Sequence, residues 1–75
     1  MNFDKELDAR GLACPLPIVK TRKSLNDLAS GQVLKVVSTD SGSMADMKAF
    51  AEQTGHELLS SGQDGALYTF FLKKR

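Results

Sequence analysis

Val33–Ser38, with the sequence VLKVVS, is the stretch that decides the fold of this 75-residue chain. The run is almost continuously apolar, which predicts a central β-strand that is covered on at least one face. Helical and strand patterns alternate on both sides of it. The order of elements that these patterns predict is β-α-β-α-β-β.

The elements around the central strand follow from spacing and from turn residues. Apolar residues at helical spacing, with Ile18 and Leu25 in the stripe, predict a first helix over about 15–29. Ser43-Met44-Ala45-Asp46 matches the capping pattern S-x-x-[DE] and predicts the start of a second helix, which Gly55 ends. Strands are predicted over residues 2–8, 57–61 and 66–73, with hairpin turn residues at 62–65.

This order predicts an α/β (α+β) two-layer sandwich, in which a mixed four-stranded sheet carries both helices on one face. If the first two strands are neighbours, the helix between them makes a right-handed parallel crossover. We expect one domain over residues 1–75, because so short a chain has no room for a second core.

Composition narrows the classes of function. Ten Lys and Arg against nine Asp and Glu give a formal net charge of +1, which supplies no general attraction to nucleic acid or to an anionic membrane. No apolar run approaches the ~20 residues that a membrane span needs. The single cysteine cannot form an internal disulfide and fits a reducing compartment. A cytoplasmic protein without a membrane partner is the expectation.

Cys14 is the candidate functional residue, because it falls after the first strand and before the first helix. In open α/β sheets, sites gather beyond the carboxyl ends of strands. If Pro15 opens the helix, Cys14 is its N-cap, and the helix dipole favours a thiolate there. Pro15 and Pro17 remove two backbone donors, leave the Leu16 N–H nearest to the sulfur, and stiffen the loop. The alternative is an inert, buried cysteine that acts as a small hydrophobe.

One cysteine limits the chemistry to passing a group between molecules, because an intramolecular dithiol cycle needs a second thiol. Sulfane sulfur, held as a persulfide on Cys14, is a natural cargo for such a residue. Arg10, four residues earlier, can lower the pKa of the thiol or hold an anionic persulfide. Equally, Arg10 can be solvated or paired with Asp8.

Residues 7–17, LDARGLACPLP, resemble the signature of the TusA (SirA-like) family of sulfur carriers, a C-P-x-P motif preceded by L-D-x-x-G. The resemblance covers essentially the whole chain. It implies a two-layer sandwich like the C-terminal domain of translation initiation factor three, and a sulfurtransferase in the carrier sense, without a cofactor.

The resemblance also implies partners. Cys14 would accept persulfide sulfur from a cysteine desulfurase or a rhodanese and relay it to a downstream sulfur-relay protein. The pathways open to the family are tRNA 2-thiolation, molybdenum cofactor synthesis and sulfur oxidation. Asn26, Ser30 and Ser41-Gly42 depart from the tRNA-thiolating branch, whereas the string around Cys14 is closer to members from sulfur-oxidising bacteria.

A basic face on the first helix is the candidate docking surface. Lys20, Arg22 and Lys23 cluster there, and such a run is most often only a solvated helix face. Beside a nucleophile it also suits acidic partners. The resemblance implies a docking role for Arg22, Lys23 and Asp40.

Two further classes of function stay open at this point. An RNA-binding or regulatory module is suggested by fold analogy and by the basic residues 73–75, and a redox protein could use intermolecular thiol chemistry. A metal centre is not expected, because His56 and Cys14 are single and zinc usually takes three or four protein ligands. A structural role at a strand entry is expected for His56.

Overall fold

The chain forms four strands and two helices in the predicted order, in a computed structural model that describes residues 2–75. The elements are β1 (Lys5–Ala9), α1 (Leu16–Asn26), β2 (Val33–Ser38), α2 (Ser43–Thr54), β3 (Glu57–Asp64) and β4 (Leu67–Lys73). The predicted bounds of the central strand are therefore confirmed.

The strands form one mixed sheet in the order β1-β2-β4-β3. β1 pairs parallel to β2 with Ala9 opposite Ser38, and β4 pairs antiparallel to both β2 and β3. The first two strands are neighbours, as expected, and α1 connects them. β2 lies inside the sheet, which suits its apolar sequence.

One face of the sheet is buried beneath both helices. On β2 the alternate residues Leu34, Val36 and Ser38 are fully buried, whereas Val33 and Lys35 lie half-buried on the opposite face. The buried strand residues join side chains from both helices in one core, whose members are Ala9, Leu25, Leu34, Val36, Met47, Phe50, Ala51, Phe70 and Leu72. The two-layer sandwich is confirmed.

Several element ends differ from the sequence prediction. β1 begins at Lys5 rather than at residue 2. Just before it, the side chain of Asp4 bonds to the start of β2, with its Oδ2 accepting the Val33 N–H at 2.8 Å. Phe3, which lies inside the predicted strand, is 42% exposed and contacts Phe71 on the outer face. Residue 1 lies outside the described residues.

The first helix is shorter than predicted and the hairpin turn is tighter. α1 ends at Asn26, after which the N–H groups of Asp27 and Leu28 bond three residues back, a common tightening of a last turn. β3 continues to Asp64, so Gly65-Ala66 alone form the turn, and Gly65 has φ +60°. Such left-handed residues favour a two-residue hairpin.

The end of the second helix is confirmed at Gly55. Its φ is +81° and its N–H donates to the carbonyl of Ala51 at 3.0 Å. A Cβ at this position would also lie 2.9 Å from Arg75 Cδ. Within residues 2–75 no helix is long and apolar enough to cross a membrane.

Truncating the centre of the core should remove much of the stability. Phe70 is fully buried whereas Leu67, on the same strand, is 39% exposed. We expect Phe70→Ala to cost about 3–5 kcal/mol, a large part of the roughly 4–11 kcal/mol available to 75 residues. Leu67→Ala is the matched control and should cost about 1 kcal/mol or less. Urea denaturation measures both, and similar costs for the two variants would contradict this packing.

Candidate functional site

The site forms where the carboxyl ends of β1 and β2 meet. Their parallel pairing sets Ala9 beside Ser38, so the loops that follow the two strands emerge at one edge of the sheet. A hydrogen bond from the Gly11 N–H to Thr39 Oγ1, at 2.9 Å, joins these two loops. This is the edge at which the sequence placed Cys14, and the prediction of its location is confirmed.

Cys14 is exposed at this edge, which excludes the alternative of a buried, inert cysteine. The N-cap of α1 is Pro15, joined to Cys14 by a cis peptide bond, and Cys14 lies one residue further from the helix than expected. The Leu16 N–H donates to the carbonyl of Ala13 at 2.9 Å, so the expectation that it faces the sulfur is wrong. Pro17 is buried in the first turn.

Two carboxylates lie beside the thiol. The Cys14 Sγ and one carboxylate oxygen each from Asp40 and Asp46 all lie within 4.8 Å of one another. Donation of the thiol hydrogen to Asp46 raises the pKa of Cys14, and the negative charge of Asp46, partial desolvation and the charge of Asp40 act in the same direction. The net shift of the Cys14 pKa is therefore opposite to the one expected from the helix dipole.

Asp46 reaches the thiol because it does not cap its helix. The N-cap of α2 is Gly42, and no side chain makes a capping hydrogen bond there. Ser43 is instead buried, and its hydroxyl is hydrogen-bonded to that of Ser38 at 2.7 Å. The capping pattern predicted the helix start correctly but the roles of both side chains wrongly.

A backbone hydrogen bond fixes Asp40 in the loop between β2 and α2. Its N–H donates to Ser38 Oγ at 3.1 Å. Its Oδ2 is buried and has no hydrogen-bond partner among residues 2–75. The loop therefore directs a second negative charge toward Cys14, and nothing in the described part of the chain neutralises it directly.

A groove of about 220 Å³ runs from Cys14 between the two helices. Arg22 of α1 lies across it, with its guanidinium carbon 5.9 Å from the ring centroid of Phe50. The groove is lined by Cys14, Pro15, Ile18, Arg22, Asp46, Ala49, Phe50 and Gln53. No pattern in the sequence indicated Ala49, Gln53 or the site role of Asp46, because only packing of the helices brings them to Cys14.

Arg10 does not take the role that its position suggested. Its Nε donates to Asp8 Oδ1 at 2.9 Å, and its Nη2 donates to Asp8 Oδ2 at 3.1 Å. These bonds hold the pKa of the Asp8 carboxyl below its usual range. The alternative of an Arg10–Asp8 pair is the one that the structure shows.

The predicted docking residues are dispersed. Lys20 and Lys23 are exposed on α1, beside the exposed apolar residues Leu16 and Val19. Arg22 lines the groove, and Asp40 lies next to Asp46 and Cys14. The four predicted docking residues therefore do not form one continuous patch of charge.

The donor atoms at Cys14 do not form a recognisable metal centre. The site gathers one soft sulfur and two hard carboxylate oxygens, a mixed set that matches neither a zinc nor a calcium preference. His56 lies at the entry to β3, where its Nδ1 accepts the Arg75 N–H at 3.0 Å. The absence of a metal stays a prediction.

The fold and the site together define a small α/β sandwich that presents a single cysteine for thiol chemistry. Residues 5–74 match the family described as "Sulfurtransferase TusA". The chain is 55% identical over 73 residues to the "Sulfur carrier protein TusA" of Allochromatium vinosum, which covers 97% of this chain and 96% of that protein. The chain belongs to the TusA family.

Other relatives agree with this assignment. The "Sulfur carrier protein TusA" of Pseudomonas entomophila is 39% identical over 72 residues, which is 96% of this chain and 90% of that protein. The crystal structure of a SirA-like protein from Desulfitobacterium hafniense superposes with a TM-score of 0.81 at 24% identity, covering 93% of this chain and 96% of that one. That structural likeness supports the fold.

Folding should slow the alkylation of Cys14. Because its pKa is raised in the folded chain, a smaller fraction is thiolate at pH 8 than in the unfolded chain, and the thiolate is the nucleophile. The rate of iodoacetamide labelling should therefore be lower in buffer than in urea, with the difference closing as the pH rises above the folded-state pKa. Faster labelling of the folded protein at pH 8 would contradict the site geometry.

Removing the Arg10 side chain should leave the labelling rate of Cys14 unchanged. Because Arg10 is paired with Asp8, we expect Arg10→Gln to label at the wild-type rate from pH 7 to pH 9. The matched comparison is Arg22→Gln, which removes a positive charge from the groove itself and should slow labelling by destabilising the thiolate. A slower rate in Arg10→Gln would show that Arg10 acts on the sulfur after all.

Proposed function

We propose that this protein is a sulfur carrier that binds sulfane sulfur on Cys14 and relays it between two proteins. The observation that carries the proposal is the exposed position of Cys14 at the sheet edge, inside the stretch that matches the TusA family. An exposed sulfur at the mouth of a groove can be reached by the cysteine of a partner. Its neighbours can also influence how readily it reacts.

Loading is a sulfur transfer without net oxidation. The Cys14 thiol loses its proton to solvent, and the thiolate attacks the outer sulfur of a persulfide on the donor. A new S–S bond forms on Cys14 while the S–S bond of the donor breaks, and its electron pair leaves with the donor cysteine as a thiolate. Delivery to the acceptor repeats the step with Cys14 as the leaving group. The exchange needs no cofactor.

The donor that fits this chemistry is a protein that already holds a persulfide. A cysteine desulfurase or a rhodanese-type sulfurtransferase belongs to that class, and the acceptor is a further sulfur-relay protein. In this carrier sense the protein acts as a sulfurtransferase, in the cytoplasm. Sulfur oxidation, tRNA 2-thiolation and molybdenum cofactor synthesis remain the candidate pathways.

The docking surface that we propose is the exposed side of α1 next to Cys14. Leu16 is 46% exposed and Val19 is 55% exposed, and both stand beside the basic residues Lys20 and Lys23. Apolar contact area with a charged rim is the usual anatomy of an interface. Arg22 and Asp40 would act at its inner margin, and Pro15 and Pro17 would keep the sulfur in place during docking.

The RNA-binding alternative is not supported by the basic C-terminus. Lys74 is half-buried, and its ammonium donates to the carbonyl of Leu25 at 2.7 Å. The Arg75 N–H donates to His56. The Lys74 side chain and the Arg75 backbone are therefore bound to the fold, and Lys74 does not present its ammonium freely to a ligand.

Mass spectrometry tests the proposal directly. Incubation with a cysteine desulfurase and cysteine, or with a rhodanese and thiosulfate, should add about 32 Da, one sulfur atom, to the intact protein as a persulfide. The gain should disappear on treatment with a reductant and should be absent in Cys14→Ser. No gain with either donor system, or an equal gain in Cys14→Ser, would sink the proposal.

A further inference from the structure

Asp46 is the charged residue whose placement the sulfur-carrier chemistry leaves unexplained. A carboxylate beside a nucleophilic cysteine opposes formation of the thiolate, the species that must attack the donor. The structure nevertheless brings this carboxylate, and that of Asp40, within 4.8 Å of the Cys14 sulfur and of each other. Such an arrangement suits a different need, which is to keep a loaded sulfur from leaving.

We propose that Asp46 is a positioning residue that holds the Cys14 sulfur at the mouth of the groove and restrains its reactivity, so that the loaded protein retains its sulfane sulfur against small thiols. The inference rests on the proposed sulfur-carrier function and deepens it.

The restraint follows from the unloading step. A small thiolate attacks the outer sulfur of the Cys14 persulfide, a new S–S bond forms on the attacker, and the bond to Cys14 Sγ breaks. The electron pair stays on Sγ, so Cys14 leaves as a thiolate. A thiol of higher pKa is a poorer leaving group, and a negative charge within about 4–6 Å disfavours a new one. Asp46 therefore slows the loss of the cargo.

Among the charged groups that face the sulfur, Asp46 is the carboxylate that lines the groove together with Cys14. These groups are Asp46 on α2, Asp40 in the loop before it, and Arg22 on α1 across the groove. Asp46 acts on the pKa of Cys14 both as a hydrogen-bond acceptor and as a charge, whereas Asp40 acts as a charge only. Arg22 has the opposite sign, and its guanidinium is engaged over the ring of Phe50.

The hydrogen bond between Ser38 and Ser43 fixes this placement. It lies in the core at 2.7 Å and ties the end of β2 to the first residue of α2. Asp46 is one turn further along the helix, so its backbone cannot shift away from Cys14 without breaking a buried contact. Asp46 could instead act only on the helix, by placing its negative charge near the positive end of the α2 dipole. In that case, replacing Asp46 would not change the titration of Cys14.

The test replaces the carboxylate by its neutral analogue and measures two properties of Cys14. In Asp46→Asn, the pH midpoint of iodoacetamide labelling should fall. The labelling rate at pH 7 should rise about three- to fourfold for each tenfold gain in thiolate, because nucleophilicity falls with pKa. After loading, incubation with 2-mercaptoethanol should return Asp46→Asn to the free thiol severalfold faster than wild type, as followed by intact mass.

Three further variants control for fold and charge. Asp46→Glu keeps the charge and should stay near wild type in both measurements. Glu52→Gln removes an exposed carboxylate from the same helix, outside the groove, and should change neither. Asp40→Asn should lower the labelling midpoint and speed the loss of sulfur, as Asp46→Asn does, but by smaller amounts. If circular dichroism shows that Asp46→Asn is unfolded, Asp40→Asn supplies the test.

The outcomes separate this inference from the proposed function. An unchanged labelling midpoint in folded Asp46→Asn would overturn the inference, and so would a lower midpoint with no faster loss of sulfur. Labelling needs no sulfur donor, so failure to load Cys14 would overturn the proposed function while the midpoint still decides whether Asp46 restrains the thiol.

Discussion

The parallel pairing of β1 with β2 is the constraint on which the rest of the structure depends. It sets Ala9 beside Ser38, so the loop that contains Cys14 and the loop that contains Asp40 emerge together. It also requires a long crossover between the strands, which α1 supplies over the buried face. The second helix then packs beside the first, and the groove between them begins at Cys14. Fold and site are therefore set by one pairing.

The chemistry of the site depends on a balance between exposure and restraint. An exposed cysteine without a second cysteine in the chain is open to every small thiol as well as to its partners. The two carboxylates beside it raise the pKa of the thiol, so a smaller fraction of Cys14 is thiolate at neutral pH than in an isolated cysteine. A carrier needs this property more than an enzyme that completes its reaction in place, because its cargo must survive the journey between two proteins.

Local sequence signals predicted most of the fold and only part of the site. The apolar run of Val33–Ser38 and the stop at Gly55 are set by neighbouring residues, and both were predicted correctly. The local pattern predicted that Ser43 and Asp46 cap the second helix. In the structure the Ser43 hydroxyl is instead hydrogen-bonded to the buried hydroxyl of Ser38, which is a contact between distant parts of the core. Arg10 could have interacted with Cys14 or with Asp8, and it binds Asp8, which is nearer in the sequence. Contacts among positions 14, 40 and 46 exist only after the helices have packed.

Cyanolysis of the loaded protein tests the central claim, that Cys14 carries sulfane sulfur, most directly. Cyanide removes sulfane sulfur as thiocyanate and returns the cysteine to its thiol. The account predicts one equivalent of thiocyanate per chain from the loaded wild type, matching its single cysteine, and none from Cys14→Ser treated in the same way. Thiocyanate from the serine variant, or none from a wild-type protein that carries the added mass, would contradict it.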